Sequence, residues 1–441
     1  MNDDEMKKRI AKAKRQTELD KLKPISFEEY NAVINKWMIN PDLYITTLLP
    51  ALYCANKLPR RAVWVVVIGP SGSGKTEFLK MMNDMEDIYP LSSISTNTFL
   101  SGMPGLNDAS LLPKITGKIL MIKDLTTLLS KRMDDKLELF SQLREIWDGG
   151  YHKEFGNGKT RDWVGKVSVI AASTQAFDIS QQAMTHLGER FLSYRLTTPA
   201  RKDVAQRCLD NNMCETQMEI EMANAFYSLM KGVNWKLLEN PPKLPEKYKQ
   251  ALINLSNFST MARSGVIRDK NYKNQITFVP SAEMPTRQIQ QLDTIVTGIM
   301  ILKNGVFTDE DMEAVFKIAL DSVPLTNKMV ITEMAKADNL KTAEIATALG
   351  YPTDPIRMYL ENLNVLKICD RIKDGTTDRW TMKPEFVEII RKYEKIEAKT
   401  KEELTVLHDE TIAANPEEAA DEEFEKFGEL KTPTNPTGIK F

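Results

Sequence analysis

Val63-Trp-Val-Val-Val-Ile-Gly69-Pro70-Ser71-Gly72-Ser73-Gly74-Lys75-Thr76 runs an apolar strand straight into the pattern GxxxxGK[ST]. Each part has a physical task. The glycines let backbone N–H groups wrap a phosphate, and Lys75 supplies a cation to the β- and γ-phosphates. Thr76 offers a hydroxyl to Mg²⁺, and the residues from Glu77 to Met82 begin a helix whose N-terminus faces the anion. The stretch predicts an α/β domain that holds a nucleoside triphosphate through Gly69, Pro70, Ser71, Gly72, Ser73, Gly74, Lys75 and Thr76.

The rest of the chain sets bounds on that reading. With 441 residues, it predicts several domains. No apolar run approaches the length of a membrane span, and Met-Asn-Asp-Asp-Glu is not a signal peptide, so a cytoplasmic protein without membrane contact is expected. Four scattered cysteines and three histidines give no zinc pattern. From Lys401 onward eleven acidic residues face four basic ones, leaving 55 basic against 50 acidic before it. A mildly basic body with an acidic tail permits nucleic-acid binding without demanding it.

Residues 1–57 form a helical N-terminal arm. Its first 23 residues read as an exposed helix or a disordered segment, and the rest carries apolar residues at helical spacing (Tyr30, Ile34, Trp37, then Ile45, Leu48, Leu49, Leu52). Residues 58–200 alternate strands with helices, as a parallel sheet requires. Residues 201–323 read as an almost wholly helical lid, 325–390 as a short helical run ending in a hairpin, and 391–441 as an acidic, mostly disordered tail.

A second apolar strand, Ile119-Leu-Met-Ile-Lys-Asp124, ends on a carboxylate placed to hold the Mg²⁺ shell. Leu125 follows where a water-polarising glutamate is expected, and Glu145 and Asp148 are the open substitutes. Tyr151 to Phe155 and Thr160 to Val164 flank Gly-Asn-Gly-Lys159, a strong hairpin signal, with Lys153, Lys159 and Arg161 on its tip and flanks for DNA. The strand from Val167 ends at Ser173-Thr174, where a hydroxyl can touch the γ-phosphate or the attacking water. His186-Leu-Gly-Glu-Arg190-Phe-Leu-Ser-Tyr-Arg195 brings two arginines. Arg190 is the better candidate for a finger that reaches a neighbouring subunit's γ-phosphate, where a bidentate guanidinium is most useful.

This order of P-loop, acidic strand end, helix, basic hairpin, hydroxyl strand and Gly-Glu-Arg-Phe resembles an AAA+ ATPase of the pre-sensor-1 hairpin group. Within it, the chain is most similar to minichromosome-maintenance-like helicases of phages and plasmids. The resemblance covers about residues 60–320 and extends to Pro285-Thr-Arg287 and Thr308-Asp-Glu-Asp311. It implies that Arg287 opens a lid helix and contacts the γ-phosphate. It also implies ATP with Mg²⁺ and a hexameric ring acting on DNA. The chain departs from the family in lacking the glutamate after Asp124, in carrying Ser/Thr at the sensor strand, and in having no preceding OB-fold or zinc module. The missing glutamate keeps a second expectation open: a slow-hydrolysing switch that docks DNA or a protein in transcription, transposition or defence.

Downstream, helical patterns over Lys328–Ala337, Thr342–Leu349 and Ile356–Leu366 precede two strands around Asp374-Gly375. Asp354 is the expected cap of the third helix, with Pro355 at its first position. The layout resembles a winged helix-turn-helix that binds DNA, Arg357 included, or docks a protein. The tail, with Phe424, Phe427 and Phe441 in an acidic setting, reads either as a solubilising charge run or as a docking peptide for a partner.

Overall fold

The computed structural model describes residues 3–39, 43–95, 98–101, 110–178, 190–269, 275–278, 281–375 and 377–394. Its first part is helical: α1 (Asp3–Asp20), α2 (Phe27–Trp37) and α3 (Leu43–Asn56). A capping box opens α2, in which Ser26 Oγ accepts from the Glu29 N–H while the Glu29 carboxylate accepts from the Ser26 N–H. The α/β part follows in the order β1 (Trp64–Ile68), α4 (Lys75–Lys80), β2 (Ile88–Leu91), α5 (Leu112–Ile115), β3 (Ile119–Ile122), α6 (Thr126–Leu129), α7 (Met133–Asp148), β4 (Gly150–Glu154), β5 (Thr160–Val164), β6 (Ser168–Ser173) and β7 (Leu192–Arg195).

Five of these strands make one parallel sheet in the order β2-β3-β6-β1-β7. The P-loop strand β1 therefore lies between β6 and β7, and β6 separates it from the Asp124-bearing β3. The three central strands β3, β6 and β1 are buried on both faces, as the unbroken apolar run of β1 anticipates, whereas the edge strand β2 is partly exposed. Val65 and Val67 join one core with Leu49, Phe78 and Ile299, while Trp64, Val66 and Ile68 join another with Leu139, Trp147 and Phe191. The buried face of α7 is Leu139, Leu143, Ile146 and Trp147, while Leu137 is exposed. β2 and β7 were not legible as strands in the sequence.

Residues beyond the sheet form α8 (Arg201–Asp210), α9 (Glu215–Gly232), α10 (Glu246–Arg263), β8 (Ile267–Asp269), β9 (Gln275–Phe278), α11 (Thr286–Leu302) and α12 (Asp309–Asp321). The antiparallel β8–β9 ribbon corrects the expectation of an almost wholly helical segment. Helix α11 crosses α3 so closely that a Cβ on Gly298 would lie 2.3 Å from the Ala51 carbonyl oxygen. Helix α12 starts at the expected Thr308–Asp311 capping box. Its far end blunts the exposed edge of β7, where Ser322 Oγ accepts from the Ser193 N–H at 2.9 Å and Asp321 accepts from the Arg195 N–H at 2.7 Å.

Last come α13 (Leu325–Met334), β10 (Leu340–Lys341), α14 (Thr342–Leu349), α15 (Thr353–Val365), β11 (Cys369–Asp374), β12 (Thr377–Met382) and α16 (Pro384–Glu394). Their strands pair antiparallel in the order β10-β12-β11. Helix α14 ends at Gly350, whose φ of 65° is the left-handed conformation that closes a helix. Helix α15 begins a residue before Asp354, with Pro352 rather than Asp354 at the cap. One hydrophobic cluster runs from the sheet through α11 and α12 to Val330, Ile356 and Trp380, so the C-terminal elements share a core with the rest. Among the described residues no helix is long and apolar enough to cross a membrane. The tail with its three phenylalanines, and His186 to Glu189, lie outside the described residues.

Candidate functional site

The P-loop leaves the C-terminal end of β1 and turns into α4. Two left-handed glycines shape it: Gly72 at φ 77° and Gly74, the N-cap of α4, at φ 79°. Both are conformations a side chain strains. A Cβ on Gly69 would come within 2.9 Å of Ser73 Oγ, so a side chain there would make the Ser73 hydroxyl shift. Lys75 Nζ folds over the loop and donates to the carbonyls of Gly69 at 2.8 Å and Pro70 at 2.6 Å. Burial lowers its pKa, and the charge of Asp124 acts against that shift. The Met38 terminal methyl lies beside Gly74, a neighbour that no sequence signal indicated.

Asp124 and Thr174 stand on the same edge of the sheet as the P-loop. Asp124 follows β3, is exposed, and accepts from the Thr126 N–H at 2.8 Å. Thr174 follows β6, the strand between β3 and β1, and its hydroxyl accepts from the Ala176 N–H at 3.3 Å. The topology thus gathers Lys75, Thr76, Thr174 and Asp124 along three consecutive strand ends. Leu125, 1% exposed, is packed into the core beside Asp124. Arg195, at the same edge on β7, is held by Asp178 through bonds of 2.9 and 2.5 Å. Under it, Asp321 is buried, which alone would raise its pKa, but Lys328 and Lys317 outweigh that and the net shift is downward.

A second group occupies the opposite edge. Arg190 precedes β7 by two residues, and since Leu192 pairs with Val65, it stands level with Val63. Six residues of strand separate that level from Gly69, about 20 Å. Arg190 Nη2 donates to Asp148 at 3.2 Å, and its guanidinium centre lies 5.6 Å from the Trp147 ring. Burial and the like charge of Arg287 push its pKa below the ordinary arginine value, while Asp148 opposes them. Arg287, in the first turn of α11, pairs with Glu283 at 3.2 Å. Arg61 also reaches the Trp147 ring, at 5.5 Å, and Asp148, at 4.0 Å. Buried Gln291 fixes the arrangement: its Oε1 accepts from the Trp64 N–H and its Nε2 donates to the Arg190 carbonyl, both at 3.0 Å. Asp148 is therefore a partner of these arginines and not a neighbour of Asp124, and Glu145, one turn before it on α7, lies toward the same end.

The hairpin β4–β5 projects from this end. Lys153 faces Arg161 across the ribbon, and Gly158 at φ 77° completes a three-residue turn. Arg161 is exposed and Lys159 half-buried, whereas Lys153 lies over Phe155 and 4.0 Å from Glu138. His152 bonds Asp162 at 2.6 Å, which raises its pKa. On α15, Arg357 is about half exposed and 3.8 Å from Asp354. Both asparagines of that helix are engaged within the chain: Asn362 accepts from Arg268, and Asn364 donates to the Cys369 carbonyl. Arg268, reaching from β8, also donates to the Met358 carbonyl and to Glu361.

No protein-family model matches the chain, and no curated protein matches it.

Proposed function

We propose that the chain is an ATPase of the AAA+ type, working as a ring, hexameric by analogy, that moves on or remodels DNA in the replication of a mobile element. One observation carries this reading. The phosphate-binding group (Lys75, Thr76) and the arginine pair (Arg190, Arg287) occupy opposite ends of one sheet, about 20 Å apart. No side chain spans that gap, so a phosphate held by one copy meets these arginines only from a second copy. Strand order supports the same site, since Thr174 comes between the P-loop and Asp124.

In this reading the glycine-rich loop wraps the triphosphate, and Lys75 swings from the Gly69 and Pro70 carbonyls to the β- and γ-phosphates. Thr76 and Asp124 would hold Mg²⁺, which neutralises phosphate charge when bound. Thr174 orients the attacking water. Arg190 and Arg287 of the neighbour stabilise the charge that develops on the transferred phosphoryl. Lys159 and Arg161, with Lys153 behind them, present the hairpin to DNA phosphates. Three helices and three strands of residues 325–382 (α13, β10, α14, α15, β11 and β12) are then a winged helix, followed by α16. With Asn362 and Asn364 engaged within the chain, Arg357 and Tyr359 are its remaining candidates for DNA, and protein docking is the alternative use.

Leu125 favours a second reading, a slow switch. A buried leucine beside Asp124 activates no water, and Asp148 serves the far edge. Steady-state ATP turnover with and without single-stranded DNA, beside unwinding of a forked duplex, separates the two. The motor requires stimulated turnover and unwinding, both lost in Lys75→Ala. Slow, unstimulated turnover without unwinding leaves only the switch.

A further inference from the structure

The basic run Lys7-Lys-Arg-Ile-Ala-Lys-Ala-Lys-Arg15 has six cations in nine residues and is not used by the nucleotide site. It lies in α1, and the two halves of that helix differ. The C-terminal half is rooted. Arg15 Nε and Nη2 donate to Asp84 at 3.0 and 2.5 Å, and Nη2 also reaches Asn224 at 2.8 Å. Leu19 is 2% exposed, and Lys231 donates to the carbonyls of Asp20 and Leu22. Asp84 belongs to the turn after α4, and Asn224 and Lys231 to α9. Among the described residues the N-terminal half shows no such attachments. Lys7, Arg9, Lys12 and Lys14 are exposed, and among the described residues none of them pairs with a carboxylate.

We propose that the free half of α1 is a binding site for the phosphate backbone of duplex nucleic acid. Cation placement argues for it. At 100° per residue Lys7 and Lys14 fall on one side of the helix and Arg9 and Lys12 on the other, over about 10 Å of axis. An α-helix fits the major groove, about 12 Å wide, where phosphates line both walls. Over the same axial length a duplex carries about six negative charges, enough to meet every one of these cations. A bilayer surface is the poorer match. The apolar strip is only Met6, Ile10 and Ala13, whereas an interfacial helix needs a broad apolar face. Because α1 is rooted on α9 and on the turn after α4, a duplex bound there lies at a fixed offset from the P-loop. The inference needs neither the ring nor ATP hydrolysis.

The test is fluorescence anisotropy of a labelled 20-base-pair duplex with the full chain, without nucleotide, across a salt series. The comparison protein combines Lys7→Ala, Arg9→Ala, Lys12→Ala and Lys14→Ala. Alanine is the strongest helix former, so α1 persists, and circular dichroism checks that it does. We expect at least tenfold weaker binding at low salt and a log K against log salt slope shallower by about 3.6, as loss of four phosphate contacts requires. Arginine at the three lysine positions should preserve both. Unchanged affinity and slope in the alanine variant overturn the proposal. So does a wild-type chain that ignores the duplex, whether or not it binds phosphatidylserine vesicles. Absence of unwinding and of DNA-stimulated turnover, with α1-dependent duplex binding intact, sinks the motor and leaves this site standing.

Discussion

Arg190 and Lys75 stand at opposite ends of neighbouring parallel strands, Arg190 leading into β7 and Lys75 following β1. Parallel pairing makes this unavoidable. A residue that enters one strand and a residue that leaves its neighbour are separated by the full strand length. The relationship places Arg190 out of reach of its own chain's P-loop, and in the proposed ring this arginine would serve another copy's nucleotide.

Gln291 is the positioning residue for Arg190, since its amide spans the Trp64 N–H and the Arg190 carbonyl. Gln291→Leu keeps the volume but leaves that buried N–H unpaired, at a cost of about 1–3 kcal/mol. The expected result is a lower Tm, with ATP turnover reduced while the nucleotide-induced rise in Tm survives. A variant that loses the nucleotide response as well would place Gln291 in the P-loop's support instead.

Lys159 and Arg161 are on the hairpin, far from Lys75 in the chain. Lys159→Ala with Arg161→Ala should cut DNA-stimulated turnover by about tenfold, in line with the loss of one to two charge-assisted contacts. Basal turnover should not change. Equal losses in both assays would show that the hairpin supports the fold and does not engage DNA.

Lys166 gives a pH signature. Its ammonium donates to the carbonyls of Asn56 and Leu58, and burial pushes its pKa down to about 8. The unfolded chain holds this proton until about pH 10.4. Between those values the unfolded state binds more protons, so stability rises with pH. From pH 7.5 to 9.5 the wild type should gain on Lys166→Met by about 1 kcal/mol, allowing for partial exposure. Denaturant midpoints at the two pH values measure it. A constant difference would mean the two carbonyls hold the ammonium charged throughout.

Much of the phosphate end was legible in the sequence because its signals are local. Glycines with left-handed φ, the lysine after them and the apolar run before them lie within fourteen residues. The hairpin was legible for the same reason, since its Asn-Gly turn sits between its own strands. What could not be read depends on long-range pairing. Leu192 to Arg195 is a strand only because β1 lies beside it. Gln291 is an ordinary helix glutamine until α11 docks on the sheet end, about a hundred residues from the backbone it braces. Asp148 was open as a substitute base because linear distance from Asp124 does not say that α7 carries the chain to the other edge. The β8–β9 ribbon escaped notice because its strands are short, and its main anchor to α15 is one side chain, Arg268.

Mixing two inactive proteins tests the central claim most directly. Lys75→Ala keeps the arginine end and Arg190→Ala keeps the phosphate end, so each alone should turn over little ATP. If the site is completed between copies, combining them in equal amounts restores turnover, because some interfaces pair an intact P-loop with an intact Arg190. Turnover that stays at the level of the separate variants, in mixtures shown to co-assemble, would contradict a shared site.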